Sequence, residues 1–384
     1  MIKNTLTLYP AAQALGASAA PIVISLAGLV SISLGAHKDI ATLPIFLLNA
    51  GMAVSTLIAA YSIKTLGRKT AYIIAATVAL LGAGLQTAAL LHTSFLLFCI
   101  GTTMLGFNAA HIQTYRFAVM EGQPTHDHGK AISRVMLGGL VAAIIGPQIV
   151  VWGGTLASGQ FIASFGGIGV LLVLQILILS GLPRSPAQSR QQHQQPKVSI
   201  WTLLSRPTYV TAMLAGVVSY ALMAFVMTAA PIAMVSHGHP VSDAALGIQW
   251  HVLAMYAPSF FTGKLIERFG KATITAIGLL FIALSGGLAL MGLDLMHFWG
   301  TLILLGLGWN FGFTGATALI ATSVSDEEKS VAQGLNDFMI FTTMAIGSLM
   351  AGFMFNSIGW QMLNLVVFPG VAIALAMMLL HRAK

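Results

Sequence analysis

Residues 183–199 read PRSPAQSRQQHQQPKVS. Proline, glutamine, serine and scattered cations give this stretch no apolar face to bury, so it reads as a solvated linker. The chain around it is 57% hydrophobic and only 7% charged, against roughly 25% charged residues in a soluble domain. Outward from the linker in both directions run apolar stretches of the length, about 20 residues, that crosses a bilayer. Six precede it, at 6–34, 40–63, 70–91, 94–117, 130–152 and 157–182, and six follow, at 207–235, 243–263, 272–293, 298–323, 330–355 and 360–381. The first is a full span with no small-residue cleavage signature, so it reads as helix 1, not as a leader. The expected architecture is an all-α membrane protein of 12 transmembrane helices. An N-terminal six-helix bundle (1–182), a cytoplasmic linker (183–199) and a C-terminal six-helix bundle (200–384) form two pseudo-symmetric halves. Ile200, Trp201, Leu203 and Leu204 make an interfacial turn before Pro207.

Charge assigns the sides. The excess of 18 Lys and Arg over 10 Asp and Glu is a topology signal, and nucleic acid is excluded because no soluble basic face exists to bind it. With the N-terminus in the cytoplasm, only Lys38 of those 18 cations falls outside. That asymmetry is expected of an even number of spans with both termini inside, here in a bacterial inner membrane. The single cysteine, Cys99, lies in an apolar run and leaves no disulfide framework or cysteine metal motif.

The loop after the second span contains Gly67-Arg68-Lys69. The loop after the eighth reads Gly263-Lys-Leu-Ile-Glu-Arg-Phe-Gly-Lys271, and Gly67 and Gly270 stand 203 residues apart. Corresponding loops in two halves indicate duplication, with a substrate site between the halves near mid-membrane. The second loop resembles the signature loop of the major facilitator superfamily. The first is a degraded copy in which Lys64 stands where that family has an acid. Gly146-Pro147 resembles the Gly-Pro of the family's antiporter motif and leaves the direction of transport open. Such loops place charge against the opposite half: Glu267 is expected to face Lys130 and Arg134, and Lys64 to face Asp326, Glu327 and Glu328. Lys64, Gly67, Arg68, Gly263, Glu267, Arg268 and Gly270 form the expected conformational gate.

Ionisable groups inside the spans are functional candidates by default. Asp337 and His111 are the candidates for proton coupling; His251 is the third embedded group. Met223 and Met227 in span 7, and His251 and Met255 in span 8, share a spacing of four that puts each pair on one helical face. Both pairs centre on residue 239, so in an antiparallel hairpin they lie at matched depth, roughly 15–25 Å from the loop. Three thioethers and an imidazole form a soft, neutral set suited to Cu(I). Methionine also serves as flexible core filler, which is the plainer reading of each pair alone. His237 and His239 in the outer loop are candidate entrance ligands.

The paired Met-x-x-x-Met and His-x-x-x-Met motifs resemble those of the CcoA-type copper importers. The resemblance implies Met223, Met227, His251 and Met255 as transient copper ligands, and copper import by alternating access to supply cuproenzymes such as cytochrome oxidase. Copper, bare or chelated, is then cargo and no cofactor is implied; the expected assembly is a monomer in the lipid bilayer. The alternative is an organic-solute carrier, for riboflavin uptake or drug/proton antiport, in which Tyr115, Trp250, Tyr256, Trp309 and Phe311 line an apolar cavity. An enzyme is not expected: the sequence has no His-Glu-x-x-His pattern, embedded carboxylate pair or Ser/His/Asp set.

Overall fold

In the computed structural model, residues 2–121, 123–124, 128–156, 161–183, 199–325 and 327–382 are described. They are almost wholly helical. Span 1 is two helices, α1 (Ile2–Ala17) and α2 (Ala19–Ser33), divided at Ser18, whose hydroxyl donates to the Ala14 carbonyl at 2.6 Å. Spans 2 and 3 are α3 (Leu43–Leu66) and α4 (Arg68–Leu91). Span 4 is α5 (Phe95–Ile112), followed by a single turn, α6 (Tyr115–Ala118). Spans 5 and 6 are α7 (His128–Leu156) and α8 (Ile162–Ser180).

The second half opens with α9 (Ile200–Leu204), the expected interfacial turn, whose Trp201 is 80% exposed. Span 7 is α10 (Pro207–Ser236), and span 8 is α11 (Val241–Tyr256) with α12 (Ser259–Phe269). Spans 9 and 10 are α13 (Lys271–Met291) and α14 (Leu295–Ser323). Span 11 occupies α15 (Lys329–Leu365) up to Gly359, where a positive φ of 77° breaks the helix; span 12 runs from there through α16 (Val367–Arg382). Ten described helical stretches are long and apolar enough to cross a membrane. One of these, Val331–Leu380, holds two crossings. The α11–α12 pair, interrupted at Ala257-Pro258, supplies another from two shorter pieces, which gives twelve.

One expectation changes. The signature stretch 263–271 is not a loop: α12 stays helical to Phe269, and α3 stays helical through Lys64 to Leu66. Each connection is a single glycine, Gly67 (φ 75°, ψ 158°) and Gly270 (φ 86°, ψ 150°), in a backbone region essentially closed to other residues. The duplication is therefore visible in backbone geometry even where the side chains have diverged. The linker residues 184–198 lie outside the described residues.

With lipid on the outside, helices gain little from hiding apolar surface and associate by close packing, which favours small residues at contacts. Gly82 on α4 and Gly101 on α5 each sit against the other's carbonyl, and Gly278 on α13 sits against the backbone of Gly312 on α14. The halves meet along four helix pairs: α2 with α10 and with α11, α3 with α15, and α7 with α11. On the face away from the chain ends they are tied together. Asn356 donates to Asp39, Thr42 donates to the Leu349 carbonyl at 3.3 Å, and Asn49 donates to Ser348 at 2.9 Å. Gln148 donates to Gln249 at 3.0 Å nearby.

Candidate functional site

A cavity lies between the halves, with about 1190 Å³ of empty space including its opening toward solvent. The N-terminal half contributes amides: Gln13 from α1, Asn49 from α3, Asn108 from α5, and Gln113 just beyond it. The C-terminal half contributes Tyr220 from α10 and Tyr256 from α11. Five thioethers complete the wall, Met52, Met223, Met227, Met255 and Met344. Among the described residues no Lys, Arg, His, Asp or Glu lines it. The cavity opens toward the face that carries the chain ends, where Gln113, Arg116 and Asp337 are exposed.

Behind the tyrosines stands a second layer of rings. Trp309 packs edge-on against Tyr220 (centroids 5.2 Å apart, 84°) and Tyr256 (6.1 Å, 70°), and stacks on Phe313 at 5.2 Å and 18°. These are the offset and edge-to-face arrangements that aromatic quadrupoles favour, and they hold the tyrosine faces in place. Of the aromatic residues expected at an apolar cavity, only Tyr256 reaches it. Trp309 supports it from behind, Tyr115 is buried inside the N-terminal half, Trp250 is 41% exposed on the outer surface, and Phe311 packs on Phe281.

The expected ligand set is only partly assembled. Met223, Met227 and Met255 reach one wall of the cavity, as their matched depth predicted. His251 is completely buried but does not line that wall. Its Nδ1–H donates to the Leu302 carbonyl on α14 at 2.7 Å. Gly306, one turn on, lacks the side chain that would hold α11 away from that carbonyl. His237 and His239 do not form a metal entrance with a third ligand: among the described residues no group of three His, Cys, Asp or Glu side chains comes together. Instead His237 Nδ1 bonds the Ala233 carbonyl at 2.7 Å and His239 Nε2 bonds the Leu293 carbonyl at 2.8 Å, closing helix ends.

The proton candidates divide. His111 is buried between spans 2 and 4, with Nδ1 on the Phe107 carbonyl (2.9 Å) and Nε2 at Ser62 (3.1 Å), away from the cavity. Asp337 does not line the cavity and is exposed on the face that carries the chain ends. Arg116, on α6, is exposed on that face as well.

The charge latch differs from expectation. Lys64 and Glu267 have no ion-pair partner among the described residues, and Asp326 lies outside them. Glu328 is taken by Arg206 of its own half through two bonds of 2.7 and 2.8 Å. Arg68 pairs with Glu121, and Lys271, its counterpart after Gly270, bonds Thr322 at 3.2 Å. Both contacts run from the start of one span to the end of the next within the same half. With the mouth open on this face, Arg68, Arg206 and Lys271 settle on partners within their own halves.

Asn108, Gln13, Asn49, Met52, Met344 and Tyr220 were not singled out by sequence. The available signal was an amide inside an otherwise apolar span, which must find a partner or face a polar space.

Similarity to known proteins bears on this geometry. The chain matches the Major Facilitator Superfamily over residues 7–309 and 212–384. It is 48% identical over 382 residues to the riboflavin transporter RfnT of Brucella anthropi, covering 99% of this chain and 96% of that one. It is 27% identical to the uncharacterized MFS-type transporter YddS of Bacillus subtilis, covering 97% and 91%. Among solved structures, the D-xylose-proton symporter aligns with a TM-score of 0.77 at 15% identity, covering 98% and 97%. The nucleoside transporter NupG aligns with a TM-score of 0.74 at 16% identity, covering 99% and 100%. Twelve crossings in two halves, paired single-glycine junctions and a cavity at the seam accompany a match that spans the chain, which belongs to the major facilitator superfamily.

Proposed function

We propose that this transporter carries a flavin, riboflavin, across the membrane by alternating access, inward when the terminal face is cytoplasmic. The observation that carries the reading is the 48% identity, over nearly the whole length of both chains, to a protein named as a riboflavin transporter. The cavity chemistry agrees with it. Riboflavin is uncharged, with a flat tricyclic ring, an amide-like polar edge and a polyol chain. Tyrosine faces and polarizable thioethers suit the ring, while neutral amides suit the edge and the hydroxyls. An uncharged cargo also needs no counter-charge, consistent with a wall that has none.

Copper import, the reading drawn from the Met and His motifs, gains no support from the named relatives. Its ligand set is also incomplete, because His251 turns to a carbonyl outside the cavity wall. Asp337 remains the residue proposed for proton coupling, since it is exposed on the face that carries the chain ends, where it can exchange protons with water.

Cells unable to synthesise riboflavin separate the two cargoes. Expressing this chain should restore growth on low external riboflavin and raise uptake of labelled riboflavin, with intracellular copper unchanged. No uptake of the vitamin together with raised copper would reject the flavin reading.

A further inference from the structure

A chain of three buried side chains ends on one amide in the cavity wall. Tyr115 is enclosed by Tyr72 and Tyr9, with ring centroids 4.7 and 5.5 Å away. Its hydroxyl accepts from Gln175 Nε2 at 3.1 Å. Gln175, fully buried on α8, in turn accepts at Oε1 from Asn108 Nδ2 at 3.1 Å. The α1 position against this carboxamide is Gly16, where any Cβ would overlap it. Because Asn108 spends its amino group on Gln175, its carbonyl oxygen must face the other way. That Oδ1 belongs to a residue 2% exposed that lines the cavity, and no described group donates to it.

Gln13 also presents a buried oxygen without a donor, but no hydrogen bond anchors its carboxamide, so it can turn to offer either end. Asn108 is anchored by Gln175. An anchored, desolvated acceptor is poor ground for an empty site and good ground for a ligand that brings a donor, since buried polar groups are costly unless paired.

We propose that Asn108 Oδ1 is the specificity-determining acceptor for the ring N–H of the cargo, the imide N–H of the flavin's pyrimidinedione. Gln175 and Tyr115 are positioning residues that hold Asn108 in that sense. The assignment rests on the flavin reading. Among flavin donors, the imide N–H is the one locked in the plane of the apolar ring, so it is buried when the ring is buried. The polyol hydroxyls rotate and can stay with water at the open mouth. A site built to bond a substrate N–H rejects the analogue that lacks it more strongly than a merely apolar site separates two shapes.

The test is equilibrium binding of riboflavin and of its N3-methyl analogue to the purified full-length transporter, followed by flavin fluorescence. The wild type should bind riboflavin at least about tenfold more tightly than the methylated analogue. In Asn108→Ala that ratio should fall to near one, through weaker riboflavin binding with the analogue little changed. Gln175→Leu should lower the ratio while leaving affinity for the analogue near its wild-type value, an outcome that general damage to the fold does not produce.

Equal binding of both flavins by the wild type overturns the proposal and leaves the flavin reading standing. A preference for riboflavin that survives in Asn108→Ala does the same. Because the wild-type comparison needs no substitution, it decides the matter even where a variant fails to fold. Binding of neither flavin overturns the cargo reading and this assignment with it.

Discussion

His251 shows how a residue can satisfy a sequence pattern and still serve another purpose. Its spacing to Met255 places both on one face of α11, but only the thioether reaches the cavity, while the ring is drawn to the Leu302 carbonyl. Its Nε2 is left buried without a donor among the described residues. One bond made against one acceptor unmet nearly cancel, each being worth about 1 kcal/mol. Replacement His251→Leu should therefore shift stability by less than about 1 kcal/mol, measured by thermal unfolding in detergent, and should leave copper accumulation unchanged. A period of four defines a helical face; it does not say whether a neighbouring helix offers a bare carbonyl, which here depends on Gly306 some 50 residues away in sequence. At the opposite extreme, the Arg206–Glu328 pair involves an acid that the sequence had assigned to Lys64. The Arg206 guanidinium holds the Glu328 carboxyl down to about 2, from an ordinary value of 4.5. A depressed acid stabilises the fold fully above its ordinary value and loses that contribution as pH falls toward its native one. Wild-type thermal stability should thus drop faster between pH 4.5 and 2 than that of Glu328→Gln, and the two curves should converge at the acid end.

At the level of the helix, most of the fold was legible because length and hydropathy alone define a crossing. The twelve expected spans match observed crossings, including the break near 355–360, which falls at Gly359. What sequence missed was how little chain is needed to turn a corner. Charged residues such as Lys64, Glu267 and Arg268 looked like loop, but at a membrane face they are the wet end of a continuing helix. The glycines at the corners differ from those on open surfaces in a measurable way. Gly67→Ala and Gly270→Ala force a Cβ into a glycine-only backbone region and should each cost about 1–3 kcal/mol of stability. Gly287→Ala on α13, a helical site with nothing within 4 Å of the new methyl, should be neutral or gain up to about 1 kcal/mol. Gly278→Val, pressed against the backbone of Gly312, should be more damaging than Gly287→Ala because two helices must separate to admit it. Unfolding midpoints of the purified variants give the order directly.

For the whole molecule, the duplicated plan and the central position of the site followed from the repeat, whereas the chemistry of the site did not. A cavity wall is assembled from one or two residues on each of many helices, such as Met52 and Met344, which lie in different halves. No local pattern joins them. The closed seam on the face away from the chain ends can be tested because the protein has one cysteine, the buried Cys99. In a Cys99→Ser background, Asn49→Cys with Ser348→Cys replaces side chains 2.9 Å apart across the halves. Oxidation should join them and abolish uptake, and a reducing agent should restore it. Either single cysteine should leave uptake insensitive to oxidant.

The one-residue corners at Gly67 and Gly270 carry a mechanical consequence. A long, slack loop would let α3 slide while α4 stayed still, whereas a stiff joint of a single glycine transmits torque from one rod to the next. Spans 2 and 3, and likewise 8 and 9, therefore act as bent levers that swing as units. Spin labels placed on the two arms of one lever should keep their separation throughout the transport cycle, while labels on levers of opposite halves part and approach.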